Sequence, residues 1–183
     1  MKKVNKSYKY RIYPNKEQSD ILLFNMGCAR FVFNHIKAMY EIYRKQAANY
    51  GFKLHANRKL FNNILNDLKS HYPFLKQANS TSLQKAYDNL IFAYRMVGKA
   101  GHGWVKFKSR KNPLQSFRTL NIKILDYKLK LPKIKSLIKI RYSRKVLGDI
   151  LTATITRNSS NQYFVSINLK TVRLKVLKRL VKK

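Results

Sequence analysis

The sequence predicts an α+β fold in which a recognition lobe of three helices splits a small, OB-like β-barrel. The hydrophobic period is two over residues 4–13, about 3.6 from Asn15 to Val97, and two again from Trp104 onward. Hydrophobic residues make up 45% of the 183-residue chain, which is enough to form a substantial core. The predicted parts are the first barrel strand, the helical lobe, the rest of the barrel and a basic tail, at 1–14, 15–103, 104–169 and 170–183.

The first element is a strand that Pro14 ends. Tyr8 and Tyr10 alternate with Lys9 and Arg11 along it. This alternation predicts an aromatic face turned toward the core and a basic face turned outward. Lys9 and Arg11 are therefore candidate nucleic-acid contacts.

The second element is a long helix. Asn15 and Gln18 have the spacing of a capping box, in which each residue satisfies a free amide of the other. Apolar residues at helical spacing follow from Leu22 to Tyr43, and the helix is expected to run to about Asn49.

Two more helices complete the predicted lobe. The second covers residues 57–69, and the third begins near Ser80 or Thr81. Either residue is a suitable N-cap, and Thr81 with Gln84 has capping-box spacing.

The remaining elements are strands, because the alternation has period two and turn-forming residues separate the runs. Asp126-Tyr127 and the run from Asn158 to Asn161 are typical of hairpin turns. The tail, from residue 171 to 183, has a mixed period and is predicted either as a short basic amphipathic helix or as the start of a further element. The predicted strands are 117–124, 127–131, 137–142, 150–157 and 162–169.

The charge of the chain points to a polyanionic partner. Forty Lys and Arg face seven Asp and Glu, for a net charge of +33. So much like charge repels itself in a compact state, and 12 Tyr and 10 Phe distinguish the chain from a disordered polycation. The composition therefore favours a folded nucleic-acid-binding protein.

This charge is concentrated in residues 99–145, which hold fifteen Lys and Arg and one Asp. Cations and aromatic residues alternate there, so phosphate contact and base stacking are both chemically available. The candidate contacts in this segment are Lys106, Lys108, Arg110 and Lys111.

Other function classes find little support in the residues. A metal site is not expected, because no Cys/His group has ligand spacing, and the seven acids are too scattered for a two-metal nuclease site. No cofactor is expected, since the sequence has no phosphate loop or dinucleotide fingerprint. The single cysteine, Cys28, lies in an apolar pattern and is predicted to be a buried structural thiol in a reducing cytosol. No apolar run approaches the ~18 residues of a membrane span.

Six segments over residues 5–169 resemble, in order and spacing, the N-terminal half of the TnpB (OrfB-type) family of insertion sequences. That family consists of RNA-guided DNA endonucleases. The resemblance implies a wedge-type barrel split by a lobe that grips guide RNA, the RNA–DNA hybrid and a short duplex flanking the target. The segments are YKYRIYPNKEQ, GCARFVFNH, HYPFLKQANSTSLQKAYDNL, GHGWVKFKSRKNPLQSFRT, LKLPKI and QYFVSINL.

The resemblance also implies particular contacts. The start of the third helix is expected to face the flanking duplex with Ser80, Thr81 and Gln84, joined by Arg118 and Thr119 from the barrel. A Gln side chain can read adenine in the major groove, which gives this expectation a physical basis.

The chain departs from the family after Leu169. The RuvC-like nuclease domain, with its catalytic carboxylates and CxxC zinc ribbon, has no counterpart in these residues. We therefore expect a nuclease-less fragment that binds structured guide RNA, duplex DNA or both in the cytoplasm, associated with the nucleoid, and that does not itself act as an enzyme. Two alternatives stay open: one part of a split nuclease completed by a second, RuvC-like polypeptide, and a stand-alone helix-turn-helix DNA-binding regulator.

Overall fold

The computed structural model describes residues 2–4, 6–99, 101–146, 148–170 and 172–174. Within them the chain forms one strand pair, a helical lobe and a seven-stranded sheet, so the predicted α+β class is confirmed. Helices and sheet share a continuous core of buried side chains that includes Tyr10, Leu22, Leu83 and Val165.

The helical lobe contains α1 (Lys16–Asn49), α2 (Arg58–His71), a 3-10 turn (Pro73–Lys76) and α3 (Ser80–Met96). The predicted capping box at the start of α1 is present: the Gln18 amide donates to Asn15 Oδ1 at 2.8 Å, and the Asn15 amide donates to Gln18 Oε1 at 3.0 Å. Gln18 Nε2 also donates to Ser136 Oγ at 2.8 Å. The cap therefore ties the first turn of α1 to the β-region as well.

The predicted cap of α3 was wrong. The N-cap is Asn79, one residue before the expected Ser80 or Thr81, and its Oδ1 accepts the Thr81 amide at 3.0 Å. Tertiary structure selects it, because the backbone amide of Asn79 donates to Asn25 Oδ1 of α1 at 2.9 Å. Ser80 is left exposed as the first helical residue.

The strands are β1 (Lys2–Val4), β2 (Ser7–Tyr13), β3 (Gln115–Thr119), β4 (Lys123–Leu125), β5 (Lys128–Lys130), β6 (Ile138–Ile140), β7 (Ile150–Arg157), β8 (Tyr163–Leu169) and β9 (Val172–Leu174). The predicted strand 4–13 is thus divided, and β1 pairs with β9 from the tail. The tail beyond residue 174 lies outside the described residues.

The seven-stranded sheet is antiparallel throughout, in the order β3-β7-β8-β2-β6-β5-β4. Among the described residues β3 and β4 are its two edges, so the hydrogen-bonded ladder does not close into the predicted barrel. The predicted strand 117–124 is two strands that lie at opposite edges. Asn121 separates them with a φ of 56°, in the left-handed region that ends a strand. Both predicted hairpin turns are present, with positive φ at Asp126, Tyr127 and Asn161.

No helix in the described part of the chain is long and apolar enough to cross a membrane.

Candidate nucleic-acid interface

The outward face of the sheet carries a row of polar side chains that crosses four strands. The strand register pairs Lys9 of β2 with Ser166 of β8, Ser166 with Thr154 of β7, and Thr154 with Arg118 of β3. Neighbouring strands lie about 4.8 Å apart, so the two cations at the ends of this polar row are separated by roughly 14 Å along the sheet. Two predicted contacts, far apart in sequence, thus belong to one surface.

A second row runs beside it. Arg11 of β2 pairs with Phe164 of β8, which pairs with Thr156 of β7. Lys9 Nζ lies 4.9 Å from the centroid of the half-buried Phe164 ring. A partly exposed ring flanked by cations offers both a stacking face and phosphate contacts. The opposite face of β2 is closed, since Tyr8, Tyr10 and Ile12 are at most 4% exposed.

The segment 104–115, here called the strap, is fixed along one stripe of α1. Asn34 makes a reciprocal pair with the backbone of Lys108: Asn34 Nδ2 donates to its carbonyl at 3.0 Å, and its amide donates to Asn34 Oδ1 at 2.8 Å. One turn earlier, Arg30 donates to Gln115 Oε1 at 2.7 Å, and Gln115 Nε2 donates to the Asn112 carbonyl at 2.7 Å. The strap is therefore an ordered extension of the helical lobe, although only its last residue, Gln115, lies in a regular element, β3.

An ion pair between a buried lysine and a half-buried glutamate supports the middle of the strap. Lys37 of α1 is 4% exposed, and its ammonium lies 2.7 Å from Glu41 Oε1 and 3.7 Å from the Phe107 ring centroid. Tyr94 of α3 also donates to Glu41 Oε1, at 3.0 Å. Burial, followed by the hydrogen bond to Glu41, raises the pKa of Tyr94. Phe107 thus lies over the Lys37 ammonium of α1, and Tyr94 of α3 shares the Glu41 oxygen that pairs with this lysine.

The predicted strap cations have two different environments. Lys106, Arg110 and Lys111 are exposed, and no ion pair involves them within the described residues. Lys108 also exposes much of its surface, but its Nζ lies 4.1 Å from the centroid of the buried Phe33 ring. Desolvation by burial lowers the pKa of Lys108. The first three are available to phosphates in solution, whereas the ammonium of Lys108 is partly enclosed.

The start of α3 divides its predicted contacts in a similar way. Thr119 is completely buried, and its Oγ1 accepts Asn79 Nδ2 at 2.9 Å. Thr81 donates to Asn79 Oδ1 at 2.7 Å, so both threonines belong to a network that joins α3 to β3. Ser80 is exposed, and Gln84, one turn further on, is half-buried, with no side-chain hydrogen bond to another described residue. Ser80 and Gln84 are therefore the members of this set that can reach a duplex directly.

A cleft of about 1340 Å³ that the sequence did not reveal lies between the C-terminal half of α1, the loop after it and the end of α3. Arg44, Lys53 and Arg95 line it together with the exposed rings of Phe52 and Trp104. The Arg44 guanidinium lies 4.8 Å from the Trp104 ring centroid. The available signal was a polar heptad-like stripe on α1 that runs beside the apolar one: Arg30, Asn34, Lys37, Glu41 and Arg44.

In the described ranges no three Asp, Glu, His or Cys side chains form a group that could hold a metal ion. Cys28 is 3% exposed, and burial raises its pKa to about 11, as a buried thiol requires.

Comparison with known proteins gives two matches. A family model described as a helix-turn-helix domain, of the OrfB type, matches residues 1–48. A protein of Streptomyces pristinaespiralis, named as an inferred RNA-guided DNA endonuclease, is 28% identical over 173 residues. That alignment covers 91% of this chain but 42% of the relative, so the chain spans less than half of the relative's length. Both matches support the resemblance to the TnpB (OrfB-type) family.

Proposed function

We propose that this chain, which is similar to the N-terminal part of TnpB-type proteins, is a nucleic-acid-binding module for structured guide RNA, duplex DNA or both. The observation that carries the proposal is the polar row Lys9–Ser166–Thr154–Arg118. It places a cation at each end of a polar row that crosses four strands, exposed at Lys9 and half-buried at Arg118. The relative's name, an RNA-guided DNA endonuclease, agrees with such a surface.

The distribution of acids supports the same proposal. Glu41 is paired with Lys37, and Asp88 with Lys85 at 2.8 Å, so two acids neutralise cations inside the helical lobe. Neither the strap nor the outward rows of β2, β3, β7 and β8 contain an acid. Their positive potential is therefore uncompensated by the protein and attracts phosphate.

We infer no role in cleavage for these residues. The proposed role is binding, and a separate RuvC-like polypeptide is not needed for it. The corresponding expectation is that labelled duplex DNA incubated with the protein, magnesium and RNA stays intact.

A stand-alone helix-turn-helix regulator is the second candidate, favoured by the description of the matching family model. The structure ranks it lower. The connections α1–α2 and α2–α3 each span eight residues, 50–57 and 72–79, where a helix-turn-helix has a turn of about three or four. The matched residues 1–48 contain part of a single described helix, α1.

The test is the salt dependence of affinity for a structured RNA and for a duplex DNA, measured by fluorescence anisotropy. The logarithm of the association constant falls linearly with the logarithm of the salt concentration, and each phosphate contact that is removed should make this slope less steep by about 0.7 to 0.9. Replacing Lys106, Arg110 and Lys111 together by Gln should make the slope less steep by about 2.1 to 2.7 and weaken binding to every sequence. The matched control replaces Lys59, Lys69 and Lys76, elsewhere in the lobe, by Gln and so removes the same number of positive charges.

Affinity that does not change between low and physiological salt would contradict nucleic-acid binding itself. Equal effects of the two triple variants would contradict the surface, because binding would then follow net charge alone. Sequencing the nucleic acid that co-purifies without nuclease treatment distinguishes the ligands: a discrete structured RNA supports the guide-binding module, and a random mixture does not.

A further inference from the structure

A cavity of about 280 Å³ lies between α3 and the edge strand β3, on the side where the polar row ends. Its volume corresponds to about nine water molecules at ~30 Å³ each, which is enough for a phosphate group with a few waters. The side chains that line it come from α1, α3, the strap, β3 and β7: Ala29, Ser82, Ala86, Asn89, Lys108, Ser116, Phe117, Arg118 and Thr154.

Two buried polar atoms of this lining have no hydrogen-bond partner among the described residues. Ser82 is 1% exposed, and its Oγ is unpaired; Arg118 Nε is also buried and unpaired. Most buried polar atoms in folded proteins are paired, and leaving one unpaired is unfavourable. Two such atoms beside one cavity indicate a missing acceptor.

The charge of the lining indicates which acceptor is missing. Two cations, Lys108 and Arg118, line the cavity, and no carboxylate does. Desolvation lowers the pKa of Lys108, and an anion next to the ammonium would offset this effect. Hydroxyls of Ser82, Ser116 and Thr154 add neutral donors, which suits a group with several acceptor oxygens.

We propose that this cavity binds one phosphate group, held by Ser82, Lys108 and Arg118. In the nucleic-acid complex the phosphate is a backbone phosphodiester, and that part rests on the proposed function. Arg118 is both the last member of the polar row and part of the cavity, so a backbone that follows the row from Lys9 reaches the cavity at its end. Ser82 lies about 160° around the α3 axis from Gln84, at 100° per residue. The phosphate site therefore uses a different side of α3 from the predicted duplex contacts.

Inorganic phosphate tests the cavity directly. In a 15N NMR titration of the full chain at constant ionic strength, phosphate should shift the Ser82 and Asn89 amides and the Arg118 Nε–H signal with saturation, whereas acetate should not. Replacing Ser82 with Ala leaves the net charge unchanged and should weaken phosphate binding roughly tenfold, since a hydrogen bond to a charged group is lost. Without ligand the variant should be as stable as the wild type or more so, because an unpaired buried hydroxyl is removed. The matched control is Ser70→Ala on α2.

A second variant keeps the test decisive if Ser82→Ala does not fold. Asn89 is exposed on α3, so Asn89→Asp should fold and would place a carboxylate in the lining. It should abolish saturable phosphate binding, whereas Asn66→Asp, the same change at an exposed position of α2, should not.

The affinity of the same variants for RNA and DNA then identifies the source of the phosphate. A tenfold loss of RNA or DNA affinity in Ser82→Ala supports a backbone phosphodiester, and unchanged affinity with weakened phosphate binding supports a site for a free anion. Wild-type protein that binds phosphate saturably but no nucleic acid would overturn the proposed function and leave the cavity assignment standing. Absence of saturable shifts in the wild type, or equal shifts in Asn89→Asp, would overturn the phosphate site.

Discussion

Removal of the Glu41 carboxylate should destabilise the protein far more than removal of an exposed acid. In Glu41→Ala the ammonium of Lys37 stays in the interior, 5% exposed at its side chain, with the Phe107 ring as its remaining close partner. Breaking a fully buried ion pair costs about 3–5 kcal/mol. Because the Glu41 side chain is 35% exposed, solvent screens part of the interaction, and we expect a loss of about 2–3 kcal/mol.

The assay is reversible urea unfolding at pH 7, with thermal unfolding as a second measurement. For a domain of this size the expected loss corresponds to a decrease in Tm of roughly 5–10 °C. The matched control is Glu17→Ala, which removes an acid from the first turn of the same helix and should cost about 0.5 kcal/mol. The double variant Lys37→Met, Glu41→Gln should recover most of the stability, because no unpaired charge is then buried.

A loss within ~0.5 kcal/mol of the Glu17→Ala control would refute this reasoning. It would mean that Lys37 reaches solvent once its partner is removed, and that the pair does not hold the strap against α1. Failure of the double variant to recover stability would instead place the cost outside the unpaired charge, because the glutamine amide oxygen can still accept the Tyr94 hydroxyl.

Three further predictions concern a cap, the thiol and the division of nucleic-acid contacts. Asn79→Ala should lower the free energy of unfolding in urea by about 2–3 kcal/mol, because it removes both a helix cap and a buried hydrogen-bond network. Asn57→Ala, at the exposed cap of α2, should lower it by about 1 kcal/mol. Equal losses in the two variants would contradict the buried network. Cys28 should react with a disulfide reagent at pH 8 about a hundredfold more slowly in the native than in the unfolded protein, because its pKa is about 11 instead of 9.0. The stabilisation from burying the neutral Cys28 thiol should be complete below pH 9 and lost as the pH rises through 11. Rapid labelling of the native protein would argue against burial of this thiol. In a binding competition, Gln84→Ala should change the preference among duplex sequences, whereas Lys106→Ala should weaken binding to every sequence by the same factor. Indistinguishable profiles of the two variants would contradict separate roles for these side chains.

Elements that depend on neighbouring residues were predictable from the sequence. Helix α1 begins after Asn15 and ends at Asn49 as expected, because its capping box and apolar stripe are both local features. The alternation of β2 also placed Tyr8 and Tyr10 inside and Lys9 outside.

Elements that depend on distant partners were not predictable. Asn79, Ser80 and Thr81 are all good caps, and the choice among them is made by Asn25, 54 residues earlier. The division of the predicted strand 117–124 follows from sheet order, which no local period encodes. The candidate site shows the same limit: each cation was visible in the sequence, but only the register aligns Lys9 with Arg118.

The placement of the acids connects stability with function. In the helical lobe, Glu41 and Asp88 each compensate a cation at 2.7–2.8 Å, so that lobe is partly neutralised by the chain itself. From Lys99 to Lys145 there is one acid, Asp126, and it lies in the turn between β4 and β5. The repulsion among the remaining cations is therefore left for an external polyanion to relieve. Because a ligand that binds only the folded state stabilises it, bound nucleic acid should raise the free energy of unfolding, and this gain should shrink as salt weakens the complex.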